Sequence, residues 1–115
     1  LERLIAFFRL RAAQYSDFNY EMGCFLGNMC QEMADSSEDI RSVLCEVLGE
    51  QTAVVESVLQ EAKERGQLEA DMDTAVAAEF LFNAWEGALM RMKAAKSARP
   101  LEAFIAQLRW SIDRP

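Results

Sequence analysis

Cys24 is the residue of this sequence best suited to chemistry, and it lies within the run GCFLGN of residues 23–28. The residues that follow it have the spacing of an amphipathic helix, so the cysteine falls at a predicted helix start. A thiol there has a lowered pKa, because the first-turn N–H groups and the helix dipole stabilise the thiolate. The position predicts a sensor thiol that reacts with electrophiles or oxidants. The alternative is a free cysteine that only packs in the core.

The chain contains no histidine, and this excludes several kinds of site. Ser-His-Asp triads, Cys-His pairs and His-ligated zinc centres all need that side chain. Cys24, Cys30 and Cys45 form no CxxC pair, and three is an odd number for a disulfide framework. We expect Cys30 to pack on an apolar helix face and Cys45 to lie at the surface beside Arg41. The prediction is a cytoplasmic protein with reduced thiols, no cofactor and no enzymatic activity.

Two pairs of carboxylates, Glu46/Glu50 and Glu61/Glu64, stand at helical spacing. A metal or acid–base site would need a second, converging set of ligands, and the sequence does not supply one. We therefore interpret both pairs as solvated helix faces and predict no metal site.

Length and composition indicate one globular domain. The 115 residues, of which 51% are hydrophobic, are enough to bury a sizeable core. No apolar run reaches the roughly 18 residues that a membrane span requires, and residues 1–20 lack a signal-peptide pattern. The net charge of −7 disfavours direct binding to nucleic acid, which depends on neutralising phosphates with Lys and Arg.

Hydrophobic spacing predicts an all-α fold, an antiparallel bundle of about five helices. The first two cover about residues 1–15 and 24–34. The third begins after a capping box formed by Ser36 and Asp39 and stops at Gly66. The fourth begins at an Asp73 N-cap and reaches about residue 96. Pro100 occupies the first position of the fifth.

The predicted fourth helix is apolar on more than one face, which sets it apart from the others. Such a helix is either central in its own domain or half-covered by a partner chain. Both arrangements are open from periodicity alone.

Several ordered stretches resemble the C-terminal domain of TetR-family transcriptional regulators. They are GCFLGNMCQEMAD (23–35), SEDIR (37–41), AWEGAL (84–89), KAAKS (93–97) and PLE (100–102). Within that family the sequence is most similar to the subgroup of the N-ethylmaleimide-reductase repressor and the acrylate-responsive repressor. The similarity spans about residues 20–110.

The resemblance implies a homodimer whose subunits each carry an N-terminal helix-turn-helix domain, expected upstream of Leu1, and a C-terminal effector domain. Residues 1–115 would be that effector-binding and dimerisation domain, and operator DNA would be bound only through the N-terminal domain. The last two helices of each subunit would pack into a four-helix interface. The residues expected there are Phe80, Leu89, Met92, Phe104, Ile105, Leu108 and Trp110. Burial of both faces within one subunit is the alternative.

The resemblance also implies an effector pocket near Cys24, which is a sensing position in the similar subgroup. We expect Lys93 to lie near it and to stabilise a thiolate. The other expected pocket residues are Phe18, Phe25, Asn28, Met29, Met33, Phe82, Asn83, Trp85 and Glu86. For each aromatic or methionine side chain the alternative is ordinary core packing. The effector would be a small molecule, electrophilic or carboxylate-bearing.

The function predicted is that of a sensing domain whose repressor releases DNA when a small molecule binds or reacts. The competing interpretation is a helical protein–protein interaction module that senses no small molecule.

Overall fold

The computed structural model of the chain describes residues 1–16 and 25–113. Across these ranges the chain forms five helices joined by turns, and no strand, so the predicted all-α fold is confirmed. The helices are α1 (Glu2–Ser16), α2 (Phe25–Met33), α3 (Glu38–Glu64), α4 (Thr74–Ala95) and α5 (Arg99–Asp113). None of these helices is long and apolar enough to cross a membrane.

The start of α3 is fixed by Ser37 rather than by the predicted capping residue Ser36. Ser37 has extended backbone angles, and its hydroxyl accepts a hydrogen bond from the N–H of Ile40 at 3.2 Å. The Ser36 hydroxyl instead donates to the carbonyl of Met33, closing the turn after α2. Glu38 and Asp39 then lie in the first turn, where carboxylates complement the helix dipole.

The end of α3 is a Schellman motif built around Gly66. The N–H of Gly66 donates to the carbonyl of Lys63, and the N–H of Gln67 donates to that of Ala62. Gly66 has a φ of +76°, in the left-handed region that favours glycine. The stop predicted at Gly66 is therefore confirmed.

Side chains of α3 hold the turn that leads into α4. The ammonium group of Lys63 donates to the carbonyl of Met72 at 2.8 Å, and the buried hydroxyl of Thr74 donates to the Gln60 amide oxygen at 3.0 Å. The Asp73 carboxylate accepts from two N–H groups of the first turn of α4, so the predicted N-cap is confirmed.

The chain divides into two compact units. The first comprises residues 1–23 and 83–115, and the second comprises residues 24–82. The helix α4 contributes residues 74–82 to the second unit and residues 83–95 to the first.

The first unit buries one face of α1 against α5 and the second half of α4. Its most completely buried side chains are Leu4, Ile5, Phe8, Leu89, Met92 and Leu101. Near the start of α1, Arg109 on α5 donates a hydrogen bond to the Glu2 carboxylate at 2.5 Å. This hydrogen bond lowers the pKa of Glu2 below its ordinary value. The stabilisation that the Arg109–Glu2 hydrogen bond gives to the fold is therefore present at neutral pH and is lost as the pH falls through the lowered pKa of Glu2. Solvent screens this interaction at the surface.

The second unit packs α2 on α3 and buries one stripe of α3. Neighbouring apolar residues of α3 differ in their burial. Leu44 and Val55 are buried, whereas the neighbouring Val43 and Val54 are 59% and 57% exposed. Leu59, Ala62, Ala78 and Phe82 complete this core.

We predict that Ser37→Ala destabilises the folded chain by about 1 kcal/mol, because it removes the N-cap acceptor of α3. Ser36→Ala is the matched control and should change the free energy of unfolding by a small fraction of that. Urea titrations followed by circular dichroism measure both variants. A larger loss of unfolding free energy for Ser36→Ala than for Ser37→Ala would contradict Ser37 as the N-cap and favour Ser36.

Candidate functional site

The predicted sensor position, Cys24, lies outside the described residues, as does Phe18. The structure describes the backbone of Phe25 but not its side chain. Lys93 is half-buried on α4 in the first unit. The expected proximity of Lys93 to Cys24 therefore stays a prediction.

The helix that follows Cys24 is partly buried along most of its length. Asn28, Met29 and Met33 are all half-buried on α2, as is Cys30. The helix α2 packs on α3, and methionine side chains such as Met29 and Met33 adapt readily to irregular surroundings. Of the nine predicted pocket residues, Asn28, Met29 and Met33 lie on α2 with described side chains, and Phe25 begins the same helix.

Trp85 lies in an aromatic cluster of the first unit. Its ring centroid is 4.9 Å from that of Phe8, 5.3 Å from that of Phe104 and 6.5 Å from that of Tyr15. Phe8 and Phe104 themselves meet edge to face at 4.8 Å. Because Trp85 is only 2% exposed, it is a core side chain of this unit. A ligand would reach it only by displacing one of these rings.

The remaining predicted pocket residues lie on either side of the unit boundary within α4. Phe82 is buried in the second unit, at 9% exposure. In the first unit, Asn83 is exposed and Glu86 is half-buried.

The predicted dimer residues differ in how much of each side chain is exposed at the surface of the chain. Leu89, Met92 and Leu108 are 1%, 0% and 7% exposed, so the chain itself already covers them. Phe104 and Ile105 are half-buried. Phe80 and Trp110 are large apolar side chains that are 70% and 54% exposed.

The other groups singled out by chemistry fall on the surface or beside the core. Cys45 is exposed and Cys30 half-buried, and within the described residues neither forms a disulfide. Glu46 and Glu50 are exposed, and Glu61 forms an ion pair with Arg65 one helical turn away. Over residues 1–16 and 25–113, no three Cys, Asp or Glu side chains are grouped so that they could hold a metal ion.

Comparison with known proteins identifies the chain. Residues 1–108 match the profile of the family described as "Tetracyclin repressor-like, C-terminal domain". The chain belongs to the TetR family. The family predicted from the sequence is confirmed, and with it the expectation that the chain is a regulator domain rather than an enzyme.

Named relatives of this TetR domain are transcriptional regulators. Transcriptional regulator AcuR of Cereibacter sphaeroides is 34% identical over 104 residues, which are 90% of this chain and 48% of the relative. HTH-type transcriptional repressor DhaR of Mycobacterium sp. (strain GP1) is 29% identical, with 72% of this chain and 42% of the relative covered. HTH-type transcriptional repressor NemR of Escherichia coli K12 is 25% identical, with 99% and 57% covered. The chain thus spans about half the length of these relatives.

A solved structure supports the same assignment. The crystal structure of regulatory protein TetR from Rhodobacter sphaeroides superposes with a TM-score of 0.87 at 33% sequence identity. The match covers 93% of this chain and 57% of that one.

Two features of α1 were missed by sequence reasoning. Tyr15 joins the Trp85 cluster, although its position two turns beyond the buried Phe8 could have indicated this. Leu10 is 63% exposed, on the side of α1 opposite to Leu4 and Phe8.

Substitutions of the neighbouring residues Phe7 and Phe8 on α1 test the contribution of the aromatic cluster to stability. Phe8 is fully buried, so Phe8→Ala should cost about 3 kcal/mol or more of unfolding free energy. Phe7, which is 41% exposed, is the matched control, and Phe7→Ala should cost about 1 kcal/mol or less. Chemical denaturation followed by circular dichroism compares them. Equal losses would contradict the placement of Phe8 against Trp85 and Phe104.

Proposed function

We propose that this TetR domain senses a small molecule and dimerises, and that the repressor containing it releases operator DNA when the effector binds or reacts. The observation that carries the proposal is the match of residues 1–108 to a regulator C-terminal domain. The repressor names of two relatives support it. The effector would act by favouring an arrangement of the dimer in which the DNA-binding domains no longer fit the operator.

The DNA-binding part of the proposal rests on length and charge. DhaR and NemR are named HTH-type repressors, and the chain corresponds to about half of each. With a net charge of −7, this domain is poorly suited to contact the phosphates of DNA. We therefore assign operator contact to a helix-turn-helix domain upstream of Leu1, in a protein that works in the cytoplasm.

The sensing part of the proposal centres on Cys24 and α2. The Cys24 thiolate would attack an electrophilic carbon, forming a C–S bond while the π electrons of an activated double bond move to the neighbouring carbon, which takes a proton from water. Asn28, Met29 and Met33 would line the site, with Asn28 as a polar anchor for a carboxylate-bearing effector. The assignments of Phe18, Phe25, Phe82, Asn83, Trp85, Glu86 and Lys93 remain predictions.

The pH dependence of alkylation tests Cys24 directly. We expect the rate of its reaction with iodoacetamide to reach half its maximum below the ordinary thiol pKa of about 8.5. Mass spectrometry of peptides from the same sample reports each cysteine separately, and exposed Cys45 serves as the internal reference for reagent access. A half-maximum at or above the ordinary value would remove Cys24 as the sensor and favour the interaction-module alternative.

The dimerisation part of the proposal rests on exposed apolar side chains of the last two helices. Phe80 on α4 and Trp110 on α5 are large, and both are more than half exposed. Side chains of this kind are enriched in interfaces. Gly87 on α4 has no atom within 4 Å of the place a Cβ would occupy, which leaves room for a partner helix.

Sedimentation velocity tests the dimer. Phe80→Glu and Trp110→Glu should each weaken self-association by about tenfold or more, because each places a charge in a desolvated contact. Val54→Glu is the matched control, since Val54 is also exposed and apolar but lies on α3. A wild-type chain that stays monomeric at high micromolar concentration would contradict the dimer.

A further inference from the structure

Charge is divided unevenly between the two compact units of the chain. The first unit contains nine basic and six acidic residues, whereas the second contains three basic and thirteen acidic residues. The first unit is therefore positive although the chain has a net charge of −7, and the second unit is strongly negative. Surfaces of opposite sign on one molecule favour contacts between copies in which unlike charges meet.

The positive charge is concentrated around the turn between α4 and α5. Arg91, Lys93, Lys96 and Arg99, here called the basic turn, lie within nine residues, and positions 87–101 contain no acidic residue. Three of the four side chains are exposed, and Lys93 is half-buried. In the part of the chain that the structure describes, none of them takes part in an ion pair. An anionic partner would relieve the repulsion between these like charges.

The backbone of Lys96 adds a second observation about this turn. Its φ is 52°, directly after the end of α4, in the left-handed region that favours glycine. A glycine at this position would end the helix with less strain, but it would remove the ammonium group. A charged, exposed side chain kept at a strained position indicates that the charge itself has a use.

An acidic counterpart precedes and begins α4. Glu69, Asp71 and Glu79, here called the acidic segment, are all exposed, and positions 66–90 contain no basic residue. None of the three forms an ion pair with another described residue. The helix dipole acts only within the first and last turns of α4, and neither Glu79 nor Arg91 lies in those turns. The opposite charges at the two ends of α4 therefore need another explanation.

We propose that, in the dimer, the basic turn of one copy lies against the acidic segment of the other. The inference rests on the proposed function, which includes a dimer, and it deepens that function by naming the contact that aligns the two copies. Two-fold symmetry forms this contact twice, with the two α4 helices antiparallel. A parallel arrangement would place like charges together and is disfavoured.

Exposed apolar side chains lie beside both charged groups. Phe80 follows Glu79 in sequence and is 70% exposed, and Met90 precedes Arg91 and is 52% exposed. An interface with apolar contacts at its centre and charges at its rim has this composition. The charges would select a second copy of the same chain over a related chain that lacks them.

Charge reversal on the two sides tests the contact by sedimentation velocity. One variant reverses the basic turn (Arg91→Glu, Lys96→Glu), and the other reverses the acidic segment (Glu69→Lys, Glu79→Lys). Each variant alone should self-associate about tenfold or more weakly than the wild type, because like charges then face each other. An equimolar mixture of the two variants should dimerise within about threefold of the wild type, since unlike charges meet again.

Two further variants control for net charge and for folding. The pair Glu46→Lys, Glu50→Lys on α3 changes the net charge as much as the acidic reversal does, at two other exposed glutamates, and should leave the dimer unchanged. A chain that carries all four reversals of the basic turn and the acidic segment should dimerise like the wild type. This chain decides the question where one of the singly reversed variants does not fold.

The outcomes separate this contact from the proposed function. Reversed variants that each dimerise like the wild type overturn the contact alone, as does a mixture that associates no more tightly than its components. Equal weakening by the substitutions at Glu46 and Glu50 would show a general effect of charge and overturn it as well. A wild-type chain that stays monomeric contradicts the dimer of the proposed function and the contact with it.

Discussion

The mutual contact of the Phe8, Trp85 and Phe104 rings is the interaction on which the first unit depends. It joins α1 to α4 and α5, with ring centroids 4.8 to 5.3 Å apart. Aromatic pairs in edge-to-face or tilted geometry add attraction beyond the area they bury. The position of α1 is thereby fixed by α4 and α5.

The second unit is organised by local interactions instead. The long helix α3 begins at a serine cap and ends at a glycine in the left-handed conformation. Lys63 and Gln60 then hold the turn into α4 through Met72 and Thr74. Because these contacts lie close together in the chain, they form at little cost in loop-closure entropy. The surface of α3 on which α2 packs thus belongs to a helix whose two ends are both fixed by local contacts.

These two kinds of contact explain how far the sequence could predict the structure. The number of helices, the stop at Gly66 and the N-cap at Asp73 were predictable, because caps and periodicity act within a few residues. The choice of Ser37 over Ser36 depends on one residue's backbone angles, which composition does not reveal. The sequence could not show which face of α4 would be buried, because Phe80 and Met92 were grouped together, yet one is 70% exposed and the other fully buried. Which of the predicted pocket residues line an effector site depends in the same way on tertiary packing.

In the proposed function, this domain couples a small molecule to the release of DNA. Fluorescence anisotropy of the full-length protein on a labelled DNA site, selected from genomic fragments by that protein, measures this coupling. We predict that one equivalent of N-ethylmaleimide per subunit releases the DNA from the wild type and leaves Cys24→Ser bound. Retention of DNA by the alkylated wild type would contradict the account. Equal release from both proteins would also contradict it, because the thiol at Cys24 would then play no part in sensing.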